Sequence, residues 1–167
     1  MDTVYLDTET TGLYPEHGAR IVEIAILDDD GRPLLDTLVN PGCEIPGEAS
    51  AIHGITDRMV ADSPKFASLD SEITSATRGC HVVIYNAAFD RRFFPDRLER
   101  ASRVSCAMLA FAKEYRETGW RNTPTWKKLT FAADHIGYRF EGTAHRALSD
   151  TLPCRAVWGW LEDRGWE

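Results

Sequence analysis

Apolar and polar residues follow two periods along this chain, and the change of period separates strands from helices. From Val4 to Thr10 the residues are apolar or β-branched around two acids, with no Gly or Pro before Gly12, which predicts a strand. After a loop at Tyr14-Pro15-Glu16-His17-Gly18, the run from Arg20 to Leu27 predicts a second strand. It ends at the turn signal Asp28-Asp29-Asp30-Gly31. Leu34 to Val39 reads as its antiparallel hairpin partner, stopped by Asn40-Pro41-Gly42.

The period lengthens from about residue 48. Ala49 to Ile55 reads as a short helical turn, with His53-Gly54-Ile55-Thr56 at its exit. Phe66, Leu69, Ile73 and Ala76 form the apolar stripe of an amphipathic helix that Gly79 ends. His81 to Tyr85 is nearly continuously apolar, as in a strand buried on both faces. Asn86 is placed to cap a helix starting at Ala87, which Pro95 breaks or kinks before it resumes through Arg100. Arg103 to Ser105 reads as a short strand, Cys106 to Tyr115 as a buried helix, and the surroundings of Gly119 as a polar loop. Thr123 and Pro124 predict a helix start, with Trp126, Leu129, Ala133 and Ile136 facing inward and Gly137 as the stop. Thr143 to Glu162 completes the chain as a helix. Strands first, then helices interleaved with strands, predict an α/β fold with a mixed sheet flanked by helices. With no repeat or linker in the way, one domain over residues 1–167 is expected, its first strand central.

Composition narrows the class without naming a function. At 167 residues, 43% hydrophobic and 27% charged, the chain can bury a core without staples. It has no apolar run long enough to span a bilayer and no signal pattern, so a cytoplasmic protein without a membrane partner is expected. Cys43, Cys80, Cys106 and Cys154 are scattered and suggest neither a zinc site nor a disulfide framework. A net charge of −7 argues against strong non-specific duplex binding. The pairs Arg91-Arg92 and Lys127-Lys128 leave room for local strand contacts, although charge pairs on helices are usually solvated.

The chemistry-bearing residues are acids. Alternation on a strand puts Tyr5, Asp7 and Glu9 on one face, with the Cα atoms of the two acids roughly 7 Å apart. Paired carboxylates in a buried strand are costly unless a cation sits between them, and oxygen donors suit magnesium or manganese. The competing reading is that both lie past the strand end and cap a turn. Asp90 falls in the first turn of its helix, where an acid also simply complements the helix dipole. Asp150 has the same alternative, with Ser149 or Asp150 itself as cap. His145 precedes Asp150 by five residues, about 140° around a helix, so the two share a site only if His145 lies on the turn entering the helix. Pro153 is consistent with irregularity there; an exposed loop histidine is the alternative.

Three motifs occur in order: Asp7-Thr8-Glu9-Thr10-Thr11-Gly12-Leu13, Tyr85-Asn86-Ala87-Ala88-Phe89-Asp90 and Ala144-His145-Arg146-Ala147-Leu148-Ser149-Asp150, with His53-Gly54-Ile55-Thr56 between the first two. Together they resemble the DEDDh 3′→5′ exonucleases, whose relatives include the proofreading epsilon subunit of bacterial DNA polymerase III. The resemblance implies a ribonuclease-H-like fold, a five-stranded mixed sheet with the second strand antiparallel to the rest. It implies two divalent cations, Mg2+ or Mn2+, held by Asp7, Glu9, Asp90 and Asp150, with His145 as general base. It further implies that Thr10, Thr11, Gly12 and Leu13 meet the terminal nucleotide, with His53 and Phe89 lining the same pocket. The implied reaction is release of nucleoside 5′-monophosphates from 3′ ends of DNA, single strands preferred, with RNA ends or an inactive end-binding module as alternatives. Polymerase proofreading subunits carry a long tail, whereas this chain stops just after its last helix, so tethering to a polymerase is not expected. Trp158, Trp160 and Trp166 divide between core packing and an exposed pair suited to a homodimer or replication partner.

Overall fold

In the computed structural model, which describes residues 2–94, 96–116, 124–139 and 145–167, five strands form one sheet in the order β3-β2-β1-β4-β5. The strands are β1 (Thr3–Thr10), β2 (Ile21–Leu27), β3 (Pro33–Leu38), β4 (His81–Ile84) and β5 (Arg103–Cys106). β2 runs antiparallel to β1 and to β3, while β1, β4 and β5 are parallel. β1 is central because its Val4, Tyr5 and Leu6 are all buried, and only a strand with neighbours on both sides satisfies its backbone there. A register shift between Glu9 and Thr10 interrupts the regular pairing of β1 with β2, and the chemistry-bearing residues lie at that end.

The helices are α1 (Gly47–His53), α2 (Asp57–Val60), α3 (Asp70–Thr77), α4 (Ala87–Asp90), α5 (Ala107–Tyr115), α6 (Leu129–His135) and α7 (Ala147–Glu162). Val4, Leu6, Val82 and Ile84 pack on one sheet face against Ile73, Phe93, Phe94 and Leu98. Tyr5, Val83 and Tyr85 pack on the other against Phe111 of α5, Ala132 of α6 and Val157, Trp158 and Leu161 of α7. At roughly 1.5–3 kcal/mol per buried large apolar side chain, these two layers fix where the ends of β1 and α7 meet. Among the described residues, no helix is long and apolar enough to cross a membrane.

Several expectations are corrected. The amphipathic stripe from Phe66 is split, a 3-10 turn at Phe66–Leu69 leading into α3. Asn86 precedes α4 but makes no side-chain cap; its carbonyl accepts the N–H groups of Phe89 and Asp90 instead. α6 starts at Leu129 rather than Pro124, and Trp126 is 61% exposed instead of facing inward. Thr123, Gly119 and Pro95 lie outside the described residues. α7 runs unbroken through Pro153, whose ring is buried, so the irregular turn lies earlier, at His145 and Arg146. Gly137 does close α6, with φ 77°. Trp158 is buried, while Trp160 and Trp166 are half-buried against the same core, so no exposed tryptophan pair forms there. The four cysteines are all free.

Candidate active site

Asp7 and Glu9 project from β1 on the face that α7 covers, and Asp150 reaches them from the first turns of α7. One carboxylate oxygen from each of the three lies within 4.8 Å of the others. The arrangement follows from local geometry. Strand alternation gives Asp7 and Glu9 a common side, and the buried stripe of α7 presses its N-terminal end onto that side. Asp90 joins from α4, just beyond the end of β4, which is hydrogen-bonded to β1. It is buried and accepts a 2.7 Å hydrogen bond from the Thr8 hydroxyl. Its carboxylate therefore stands beside the three-acid cluster rather than within it.

So many carboxylates in so little solvent resist ionisation together. Burial pushes Asp7 well above the usual carboxylate range, with repulsion from Asp90, Glu9 and Asp150 adding to it. Glu9 is pushed up to about 8 by burial and then by Asp150. Asp90 rises to about 7, again through burial, against the opposing hydrogen bond from Thr8. Asp150 is raised by burial, with His145 opposing. This donor set, hard oxygens only and strained by mutual repulsion, fits a divalent cation of the magnesium or manganese kind.

His145 is not on α7. It sits two residues before the helix, exposed, with a left-handed φ of 64°, and its backbone N–H points at the Asp150 carboxylate at 3.3 and 3.4 Å. The five-residue separation is thus spanned by a turn, as the helical-wheel argument requires. Neither Ser149 nor Asp150 caps the helix; Arg146 holds the cap position without a side-chain cap.

Glu23 supplies the missing cap, and no reading of the sequence singled it out. It lies directly opposite Glu9 on β2, is 3% exposed, and accepts the Ala147 N–H at 2.8 Å. The Arg146 guanidinium grips the same carboxylate, Nε at 3.0 Å from both oxygens and Nη2 at 2.5 Å from one. A buried acid within an otherwise apolar β2 (Ile-Val-Glu-Ile-Ala-Ile-Leu) was the available signal.

Beside the acids, Thr8 to Leu13, Pro46, Ile52, His53 and Phe89 line an open groove of about 440 Å³. All six residues expected to meet the terminal nucleotide, Thr10, Thr11, Gly12, Leu13, His53 and Phe89, are on its wall. Leu13 and Ile52 expose 63% and 60% of their surface there, an apolar rim suited to a flat base. Phe89 is half-buried and also packs on Phe93 with ring centroids 5.4 Å apart, so core and groove share it. The His53 Nδ1 accepts the Ile55 N–H at 3.0 Å, which puts the proton on Nε2. That buried Nε2 has no hydrogen-bond partner among the described residues. Arg92 is committed elsewhere: it pairs with Glu16 at 2.6 Å, donates to the Leu13 carbonyl at 3.3 Å and lies over the Tyr14 ring.

A family model for exonucleases of the RNase T type matches residues 4–157. An uncharacterized exonuclease, CP81, of Escherichia phage 186 is 40% identical over 173 residues, covering 96% of this chain and 87% of the relative. The DNA polymerase III subunit epsilon of Rickettsia conorii is 34% identical over 113 residues, covering 65% of this chain and 49% of that protein, so the match spans about half its length. Among solved structures, exonuclease X in complex with 5′ overhanging duplex DNA superposes with a TM-score of 0.76 at 27% identity, covering 99% of this chain and 94% of that one.

Proposed function

The chain belongs to the RNase T family of exonucleases, is of the DEDDh type and has a ribonuclease-H-like fold, and from that premise we propose that it removes nucleoside 5′-monophosphates from the 3′ ends of DNA, preferring single strands. One observation carries the reading: Asp7, Glu9 and Asp150 converge within 4.8 Å at the end of a groove rimmed by exposed apolar side chains. In this reading Asp7, Glu9 and Asp150 hold one divalent cation and Asp90 helps hold a second, magnesium or manganese. Such a pair supplies neutralisation of charge at the transferring phosphoryl group and an acidified water.

The chain's own residues do the rest. Leu13 and Ile52 receive the terminal base, and the Thr10–Leu13 backbone seats its sugar and phosphate. The Nε2–H of His53, beside the Thr10 backbone, offers a donor in the same groove. His145 takes the proton from the attacking water on an imidazole nitrogen, acting as general base. Its place on an exposed turn leaves its side chain free to move to the site when a strand end is bound. Replication machinery is a natural partner for such an activity, since an epsilon subunit is among the relatives.

The test is degradation of 5′-labelled oligonucleotides: single-stranded, blunt and 3′-recessed DNA, and RNA, each with magnesium, manganese or chelator. A ladder shortening from the 3′ end, fastest on single-stranded DNA and lost in chelator and in Asp150→Ala, supports the reading. Binding without shortening in either metal refutes it, and faster shortening of RNA reassigns the substrate.

A further inference from the structure

A second groove, of about 380 Å³, lies on the far side of the Thr11–Arg20 loop and is cationic in a chain whose net charge is −7. Arg20, Lys65, Arg92 and Arg97 line it together with Phe66 and Phe93, and none of the described acidic residues is part of the wall. Arg92 and Arg97 are balanced by Glu16 and Asp70, at 2.6 and 2.5 Å, just outside it. Arg20 and Lys65 are exposed and form no ion pair with a described residue. Two unneutralised cations flanked by two fixed guanidiniums suit a run of phosphates.

The position of this groove says which phosphates. Its wall runs from Arg92, hydrogen-bonded to the Leu13 carbonyl, to Ala19 and Arg20 at the far end of the loop. Between it and the groove beside the acids, a shallow cleft of about 260 Å³ shares Thr11, Gly12 and Leu13 with one and Ala19 with the other. Leu13 and Tyr14 stand exposed at the crest. Backbone bonds hold the loop in shape, Thr11 N–H to the Arg20 carbonyl at 2.8 Å and Arg20 N–H to the Thr11 hydroxyl at 2.9 Å. The crest therefore separates the groove at the acidic end from the cationic one, so a duplex end reaching the acids would straddle it. The complement then lies on the loop's other side.

We propose that the Arg20–Lys65 groove binds the phosphodiester backbone of the complementary strand of a duplex DNA end, while the 3′-terminal strand occupies the groove at Asp7 and Glu9. The assignment rests on the reading of the chain as a nuclease acting at DNA 3′ ends. It makes the enzyme competent on duplex ends with a 5′ overhang, through charge that the single-strand reaction does not use.

The experiment compares wild type, Arg20→Glu/Lys65→Glu and the charge-preserving Arg20→Lys/Lys65→Arg in magnesium. Each is measured on a 5′-overhanging duplex and on the single strand with the same 3′ sequence, over a range of salt. The charge-reversed protein is expected to raise KM on the duplex by about tenfold, with kcat unchanged. It should also flatten the log–log salt dependence by about two, one per lost phosphate contact. The charge-preserving protein restores both, and the single-strand reaction is unaffected by either change. An unaltered duplex KM overturns the proposal, as does an equal loss on both substrates. If the wild type degrades neither substrate, the nuclease reading itself has failed, and that result is distinct from either.

Discussion

Arg146 and Glu23 stand 123 positions apart in sequence, yet the guanidinium of one closes on the buried carboxylate of the other through three hydrogen bonds. The same carboxylate caps α7 through the Ala147 N–H. The last helix and the turn carrying His145 are thereby tied to the strand beside Glu9. Glu23→Gln leaves a part-exposed cation without its charged partner and is expected to cost about 1 kcal/mol of unfolding free energy, below the range for a fully buried pair because Arg146 keeps 37% of its side chain in solvent. Denaturant melts of the metal-free proteins read this directly. A loss below about 0.5 kcal/mol would mean that the pair does not hold the turn.

Mutual repulsion among the acids predicts an inverted response to neutralisation. Asp150→Asn removes a carboxylate whose ionisation burial opposes, so the metal-free variant is expected to melt about 2–4 °C above wild type, equivalent to roughly 1 kcal/mol. In wild type, manganese or magnesium at about 100 times its dissociation constant should add roughly 2.7 kcal/mol. The variant should lose most of that gain. Equal metal-induced shifts in both proteins would remove Asp150 from the metal-holding set.

His145 is exposed and belongs to neither core layer, so its replacement should separate chemistry from folding. His145→Ala is expected to slow cleavage by about 10²–10⁴-fold, while the melting temperature and its response to manganese stay at wild-type values. Cleavage at the wild-type rate would exclude this side chain as the base.

The His53 Nε2–H is buried beside the Thr10 backbone and has no well-formed hydrogen bond among the described residues. Substitution by Phe retains much of the ring's bulk but deletes the Nε2–H together with the Nδ1 acceptor of the Ile55 N–H, and is expected to raise KM for a single-stranded oligonucleotide roughly fivefold, the worth of about 1 kcal/mol for one hydrogen bond. An unchanged KM would place the donor outside the substrate's reach.

Acid sensitivity should come from His81, far from the carboxylates. Arg103 donates to its Nδ1 at 3.1 Å, so Nε2 carries the proton and donates to the Ser105 hydroxyl at 2.8 Å. Burial, then the Arg103 charge, lower its pKa to about 4. Because the unfolded chain protonates near 6.5 and the folded one does not, this contribution is complete above pH 6.5 and is lost as pH falls toward 4. The stability gap between wild type and His81→Gln should therefore narrow from pH 7.5 to pH 5 in parallel denaturant melts. A constant gap would contradict it.

Strand alternation alone put Asp7 and Glu9 on one face, and the apolar run from His81 to Tyr85 announced a strand buried on both sides. Helical geometry let His145 share a site with Asp150 only from a turn outside α7, and the structure puts it on one. Those inferences are local: they depend on bond geometry and on periods of two and 3.6, which neighbouring residues share. Distant partners have no such rule. The cap on α7 comes from Glu23, whose only sequence signal was an acid in an apolar strand, because a capping acceptor from any segment will serve if the fold delivers it. The helix expected from Pro124 starts instead at Leu129, and Trp126 turns outward, because core packing overrides a start signal that Thr123 and Pro124 only suggest. The cationic groove draws Arg20, Lys65 and the Arg92–Arg97 stretch from three separate segments. Net charge sums over the whole chain and conceals such a patch; only the folded chain gathers it.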